Sequence, residues 1–198
     1  MDLTQLKAKL RDLEAYDFVT ETILQGHCKH ISEDQIEHIR NSITKATGIE
    51  IHRNEIYVVG SAKIGFGLFE KKRKDEITLP AFREFGPLSD IDIAFASPSL
   101  FDAIWSELNS YALNQPWMPF RMKKLGDYMI YGWIRPDQMP KNIRLHLYDR
   151  WNDQMAMLST QAIFNRRKIT GALYRNVEFV AKYQTRGINK CKKSLELT

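Results

Sequence analysis

The sequence predicts an α+β domain, a small mixed sheet with flanking helices and two N-terminal helices ahead of any strand. Three observations carry that expectation. Leu3, Leu6, Leu10 and Leu13 recur at steps of three and four, the period of an amphipathic helix. Glu55-Ile-Tyr-Val-Val59 is short and β-branched, as a buried strand is. Asp90-Ile-Asp-Ile-Ala-Phe-Ala96 alternates with period two, which places both carboxylates on one strand face.

In chain order, residues 3–25 read as the first helix, ended by Gly26. Ser32 followed by Asp34 and Gln35 is a helix-start signal, and Ile36, Ile39 and Ile43 form the buried stripe of a second helix that stops near Gly48. The strand over 55–59 runs into a turn at Gly60-Ser61. Residues 63–88 fit no element; within them Lys71-Lys-Arg-Lys-Asp-Glu76 is a charge run expected on a solvated loop or helix end. After the strand over 90–96, Pro98 to Leu113 reads as a helix opened by Ser97 or Ser99, with Phe101, Ile104, Trp105 and Leu108 on its apolar side. Two further strands are expected over 127–134 and 143–148, joined by the turn-rich Arg135–Pro140. Residues 153–168 and 173–183 read as helices, and the tail from Gly187 as loose. Trp105, Trp117, Trp133 and Trp151 are expected in the core.

The chain of 198 residues, 43% hydrophobic with 10 Gly and 7 Pro, suits one domain over 1–198. Its parts are an N-terminal helical segment (1–48), a sheet that would carry the chemistry (50–150) and basic C-terminal helices (151–198). Cys28 and Cys191 lie far apart with no CxxC, so zinc and a disulfide framework are not expected, and a reducing cytoplasm fits. The charged N-terminus and the lack of an 18-residue apolar run argue against secretion and against a membrane partner. The net charge is +5 and uneven: Arg166, Arg167, Lys168, Arg175, Lys182, Arg186, Lys190, Lys192 and Lys193 face only Glu178. The C-terminal part should be a cationic surface.

One constellation carries chemistry: a strand ending in Gly60-Ser61, then Ser89-Asp90-Ile91-Asp92-Ile93 on another. Carboxylates at i and i+2 on a strand lie about 7 Å apart at Cα, close enough to share divalent cations. A glycine-serine turn offers N–H groups and a hydroxyl to a phosphate. Nucleotidyl transfer needs little more from a protein than metals that activate the attacking hydroxyl and neutralise the leaving pyrophosphate.

Val59-Gly60-Ser61 followed by Asp90-Ile91-Asp92-Ile93, with Gly65 as a second glycine after the turn, resembles the polymerase β-type nucleotidyltransferase superfamily. The matched residues span about 55–96. The resemblance implies the polymerase β-like fold, phosphate held at Gly60 and Ser61, and Mg²⁺ (or Mn²⁺) held by Asp90 and Asp92. The spacer between turn and carboxylates is longer than in relatives, so a lysine-rich insertion must loop out. Ile64 stands where many relatives carry an arginine, so Lys63 or the insertion would supply the γ-phosphate cation. Relatives also carry a third carboxylate on a later strand. Here Leu145-His146-Leu147 has the expected surroundings, with His146 sharing a strand face with Arg144 and Tyr148, while Asp149 lies at that strand's end. His146 as a neutral base, Asp149, and loss of this role are the three alternatives.

The implied activity is transfer of a nucleoside monophosphate from an NTP or dNTP to a hydroxyl. Minimal relatives are often encoded in bacterial toxin–antitoxin or antiphage loci. The cationic C-terminal segment, with Tyr174, Phe179 and Tyr183 interspersed, favours a nucleotide or oligonucleotide product or acceptor. The alternatives are a protein-AMPylating antitoxin acting on a cognate toxin or effector, and a catalytically inactive nucleotide or nucleic-acid sensor.

Overall fold

The structure is a computed structural model that describes residues 1–72, 76–87, 89–114, 120–139 and 143–196. Trp117, Pro140 and positions 73–75 of the charge run lie outside the described residues. The chain is a mixed α+β fold, as expected.

The N-terminal helix is broken where one continuous element was predicted. The α1 helix (Leu3–Asp12), capped by the Asp2–Gln5 box, stops because Leu13 turns extended. A short α2 (Ala15–Phe18) and a π-helical turn (Val19–Leu24) follow. The α3 helix (Glu33–Thr47) matches its signals: Ser32 and Gln35 form a capping box, and Gly48 closes it at φ +73. Strand β1 (Ile56–Val59) leads into a five-residue helix, α4 (Gly60–Ile64).

The insertion then folds into paired two-residue strands. β2 (Phe66–Gly67) pairs with β5 (Arg83–Glu84), and between them β3 (Lys71–Lys72) pairs with β4 (Thr78–Leu79). Strand β6 (Ile91–Ala96) and helix α5 (Pro98–Leu113) follow as predicted, with Ser97 as the cap. Trp105 is the exception on α5: it is 48% exposed, and Leu100 takes its place in the core.

Beyond α5 the expected elements are corrected at several points. Residues 127–130 end a helix, α6 (Phe120–Ile130), and only β7 (Trp133–Ile134) is strand. The strand expected over 143–148 does not form, because α7 (His146–Leu158) begins inside it. Its first free N–H groups, at Leu147 and Tyr148, donate to the Glu107 carboxylate at 3.0 and 3.4 Å, a cap supplied from α5. The helix expected over 153–168 already ends at Leu158. Residues 169–174, of which only 173 and 174 were expected to be helical, form strand β8 (Ile169–Tyr174), and α8 (Val177–Glu196) follows, helical through the tail expected to be loose. Asn176 starts α8 by accepting from the N–H groups of Glu178 and Phe179.

The sheet order is β1-β6-β8-β7, with β6 and β8 parallel and the outer pairs antiparallel. The parallel pair needs a long crossover, which α5, α6 and α7 supply. One sheet face carries Ile91, Ile93 and Phe95 into a core with Ile39, Ile104 and Trp151. The other carries Val59, Ala94, Ala96 and Tyr174 against Leu10, Phe18 and Val180. Each fully buried Ile, Leu or Phe contributes about 1.5–3 kcal/mol, so these two layers hold the sheet. Period-two alternation places Asp92 on the second face, beside alanines rather than large side chains. None of the described helices is long and apolar enough to cross a membrane.

Candidate functional site

Asp92 is fixed by three neighbours. Val59 is its partner on β1, Thr170 its partner on β8, and Asp90 stands two residues back, just before β6 begins. The Thr170 hydroxyl donates to Asp92 Oδ1 at 2.5 Å. On the opposite side, Gly60 has φ +63, and a Cβ there would lie 2.8 Å from Asp92 Oδ2. Glycine at position 60 therefore serves two needs, a left-handed backbone and room for the carboxylate.

Burial pushes the Asp92 carboxyl above its ordinary value, and the nearby Asp90 charge adds to that, while the Thr170 hydrogen bond, Lys71 and Lys168 oppose it. Asp90 is more open, its side chain 32% exposed, and its Oδ2 lies 3.7 Å from Lys71 Nζ on the insertion. That exposed pair contributes little stability.

Gly60, Asp92, Lys168 and Thr170 line one cavity of about 850 Å³. It runs along β8 between α7 and α8, where the ladder with β7 covers only Leu173 and Tyr174 and leaves residues 169–172 as an open edge. The volume falls in the range of small-molecule sites. Gly171 lets α7 close the floor, because a Cβ there would meet the Trp151 ring at 2.9 Å.

The remaining predicted residues fall elsewhere. Lys63 turns away: its ammonium donates to the Gly26 carbonyl, and burial lowers its pKa. Ser61 follows Gly60 in α4, and its carbonyl accepts from the Gly65 N–H. His146 and Asp149 are not among the residues that line the cavity. His146 is the exposed first residue of α7, and Asp149 caps that helix, its carboxylate accepting from the Leu145 N–H at 3.3 Å. The parity argument for His146 presumed a strand that the chain does not form there.

Comparison with protein-family models, with curated proteins and with solved structures gives no match.

Asp90 and Asp92 with the Thr170 hydroxyl are hard oxygen donors of the kind Mg²⁺ and Mn²⁺ select. Asp92 is a buried carboxylate with no hydrogen-bonded cation among the described residues, and the cradle left by Gly60 keeps its Oδ2 side clear. The residues fit one divalent ion. Among the described residues, no group of three His, Cys, Asp or Glu side chains forms around the pair. Thr170 is the third oxygen-bearing side chain at the pair, through its hydrogen bond to Asp92. Sequence reasoning missed Thr170 because the segment Ile169-Thr-Gly-Ala-Leu-Tyr174 lacks a clean alternation and carries a glycine at its centre.

Proposed function

We propose that this chain has a polymerase β-like fold and acts as a metal-dependent nucleotidyltransferase, taking an NTP or dNTP as donor and a hydroxyl as acceptor. The observation that carries this reading is the Gly60 turn held against Asp92, with Asp90 beside it, at the mouth of a nucleotide-sized cavity. Mg²⁺ or Mn²⁺ bound at Asp90 and Asp92 would neutralise charge on the phosphates and the leaving pyrophosphate.

In such a transfer the acceptor oxygen bonds to the α-phosphorus, the bond to pyrophosphate breaks, and the acceptor's proton must leave. Gly60 and Ser61 hold phosphate, and Lys71 and Lys168, rather than Lys63, supply the cations facing the carboxylates. Metal held by Asp90 and Asp92 would lower the proton affinity of the acceptor hydroxyl, whose proton then passes to solvent.

The acceptor best matched is a nucleotide or oligonucleotide. Lys182, Arg186, Lys190 and Lys193 line a groove of about 480 Å³ on the outer face of α8 together with Tyr16, a basic surface with an exposed ring. That chemistry agrees with a nucleotide signal in bacterial antiphage defence; an acceptor on a cognate toxin is the competing outcome. A second reading, a nucleotide-binding sensor without turnover, is favoured by Thr170, which is a weaker metal ligand than a carboxylate and cannot act as a base.

The test is incubation with each labelled NTP and dNTP and Mg²⁺ or Mn²⁺, with nucleic acid and protein then resolved on separate gels. Label in nucleic acid supports the first reading, and label in protein the toxin acceptor. Bound nucleotide without pyrophosphate release supports the sensor.

A further inference from the structure

One end of the cavity along β8 takes no part in holding phosphate or metal. Thr170 and Tyr174 share a face of β8 four residues apart, so about 13 Å of strand separates them. In the parallel register, Asp92 lies opposite Thr170 and Ala96 opposite Tyr174. The carboxylates, Gly60 and Lys168 therefore mark one end.

The other end is built of rings. Trp133 stacks on Tyr174 with centroids 5.6 Å apart and planes 12° from parallel, and Tyr183 meets Trp133 edge-on at 4.6 Å. The Arg135 guanidinium lies 5.3 Å from the Trp133 ring centre, held there by the Asp137 carboxylate and the Tyr128 hydroxyl. Trp133, Arg135, Tyr174 and Tyr183 all line the cavity. Tyr174 is buried, whereas Tyr183 is 45% exposed, so Tyr183 presents the open ring. The Trp133 indole N–H is buried with no acceptor among the described residues, which a ligand's acceptor atom would relieve. An exposed ring beside a fixed guanidinium at a cavity wall suits a flat π-system.

We propose that Tyr183, backed by Trp133 and Arg135, is the subsite for the nucleobase of a nucleotide whose phosphates lie at Lys168 and the Asp90–Asp92 pair. This rests on the nucleotide-binding reading above. The base comes either from a free nucleotide or from the end of a strand.

Calorimetric titration of the full chain in Mg²⁺ with ATP, UTP, inorganic tripolyphosphate and a short 5′-phosphorylated oligonucleotide tests it. Wild type is expected to bind ATP roughly fivefold to a hundredfold more tightly than tripolyphosphate, the margin that base–aromatic stacking supplies. Tyr183→Leu removes that margin and leaves tripolyphosphate affinity unchanged; Tyr183→Phe keeps it. Tryptophan fluorescence should respond to ATP and not to tripolyphosphate, with most of the response lost in Trp133→Phe. A margin present for the oligonucleotide alone assigns the base to a strand end. Equal affinity of wild type for all four ligands, or a margin retained in Tyr183→Leu, overturns the subsite. Should Tyr183→Leu fail to fold, the wild-type margin and the Trp133 fluorescence response decide. Binding of none of the ligands overturns the nucleotide-binding reading itself, and the subsite with it.

Discussion

Thr170 donates its hydroxyl proton to Asp92 from the neighbouring parallel strand, 78 residues further along the chain. The buried carboxylate is thereby held by a neutral hydroxyl. Thr170→Val should remove the contact that lowers the Asp92 pKa and so raise that pKa further, read by carboxyl carbon NMR titration. Thr170→Asp should add an oxygen ligand and raise turnover at least about tenfold if transfer is the chain's activity, since a positioned base commonly contributes a hundredfold or more. Unchanged pyrophosphate release in Thr170→Asp would favour the sensor reading.

Asp92→Asn tests the buried charge. Burial raises the Asp92 pKa, so the folded chain holds this proton to higher pH than the unfolded chain does. The associated stability is present below the ordinary carboxylate value and is lost as pH rises through the folded value. Asp92→Asn should therefore melt a few degrees above wild type near about pH 8, and the difference should vanish below about pH 4, while nucleotide turnover is abolished. A variant that melts no higher than wild type at the alkaline end would show that the folded chain compensates the charge.

Gly60→Ala combines a left-handed backbone with a methyl group aimed at Asp92 Oδ2. The backbone cost alone is about 1–2 kcal/mol, and the carboxylate must also shift. A fall in melting temperature of several degrees, with loss of metal-dependent nucleotide binding, is expected. Normal binding in this variant would separate the turn from the site.

The basic face of α8 predicts salt-dependent binding of single strands, with a log–log slope of roughly −0.7 per phosphate contacted. Replacing Lys182, Arg186, Lys190 and Lys193 by Gln should flatten it, whereas Arg167→Gln should not. Arg167 is already engaged, donating to the Gly86 carbonyl and lying over the Phe85 ring. Absence of any salt-dependent binding in wild type would assign the face to an acidic protein surface.

The elements that were legible in the sequence carry their own local signals. Ser32 and Gln35 cap α3, Ser97 caps α5, and β6 alternates along its length, so no distant residue is needed to read them. The segment 143–148 misled because buried Ile143 and Leu145 alternate with exposed Arg144 and His146 as a strand would, while the cap that turns it into a helix comes from Glu107, 40 residues away in sequence. The same limit hid the site: Asp90, Asp92 and Gly60 stand in one motif, but Thr170, Lys168 and Lys71 join them only through tertiary pairing. Lys63 was misplaced because its neighbour Gly26, on a different turn, claims the ammonium.

The crossover between β6 and β8 has a consequence for how the protein is made. Closing a loop of the length that separates Asp92 from Thr170 costs on the order of 4 kcal/mol in chain entropy, before any contact across the pair repays it. The parallel pairing is thus expected late in folding, after the α5 and α7 helices have condensed on β6. A nascent chain still lacking residues 169–174 holds the turn and both carboxylates but not the strand that completes their cavity. Nucleotide binding should then begin only once residues 169–174 have been made and paired with β6, and products released before that point would be inert toward nucleotides.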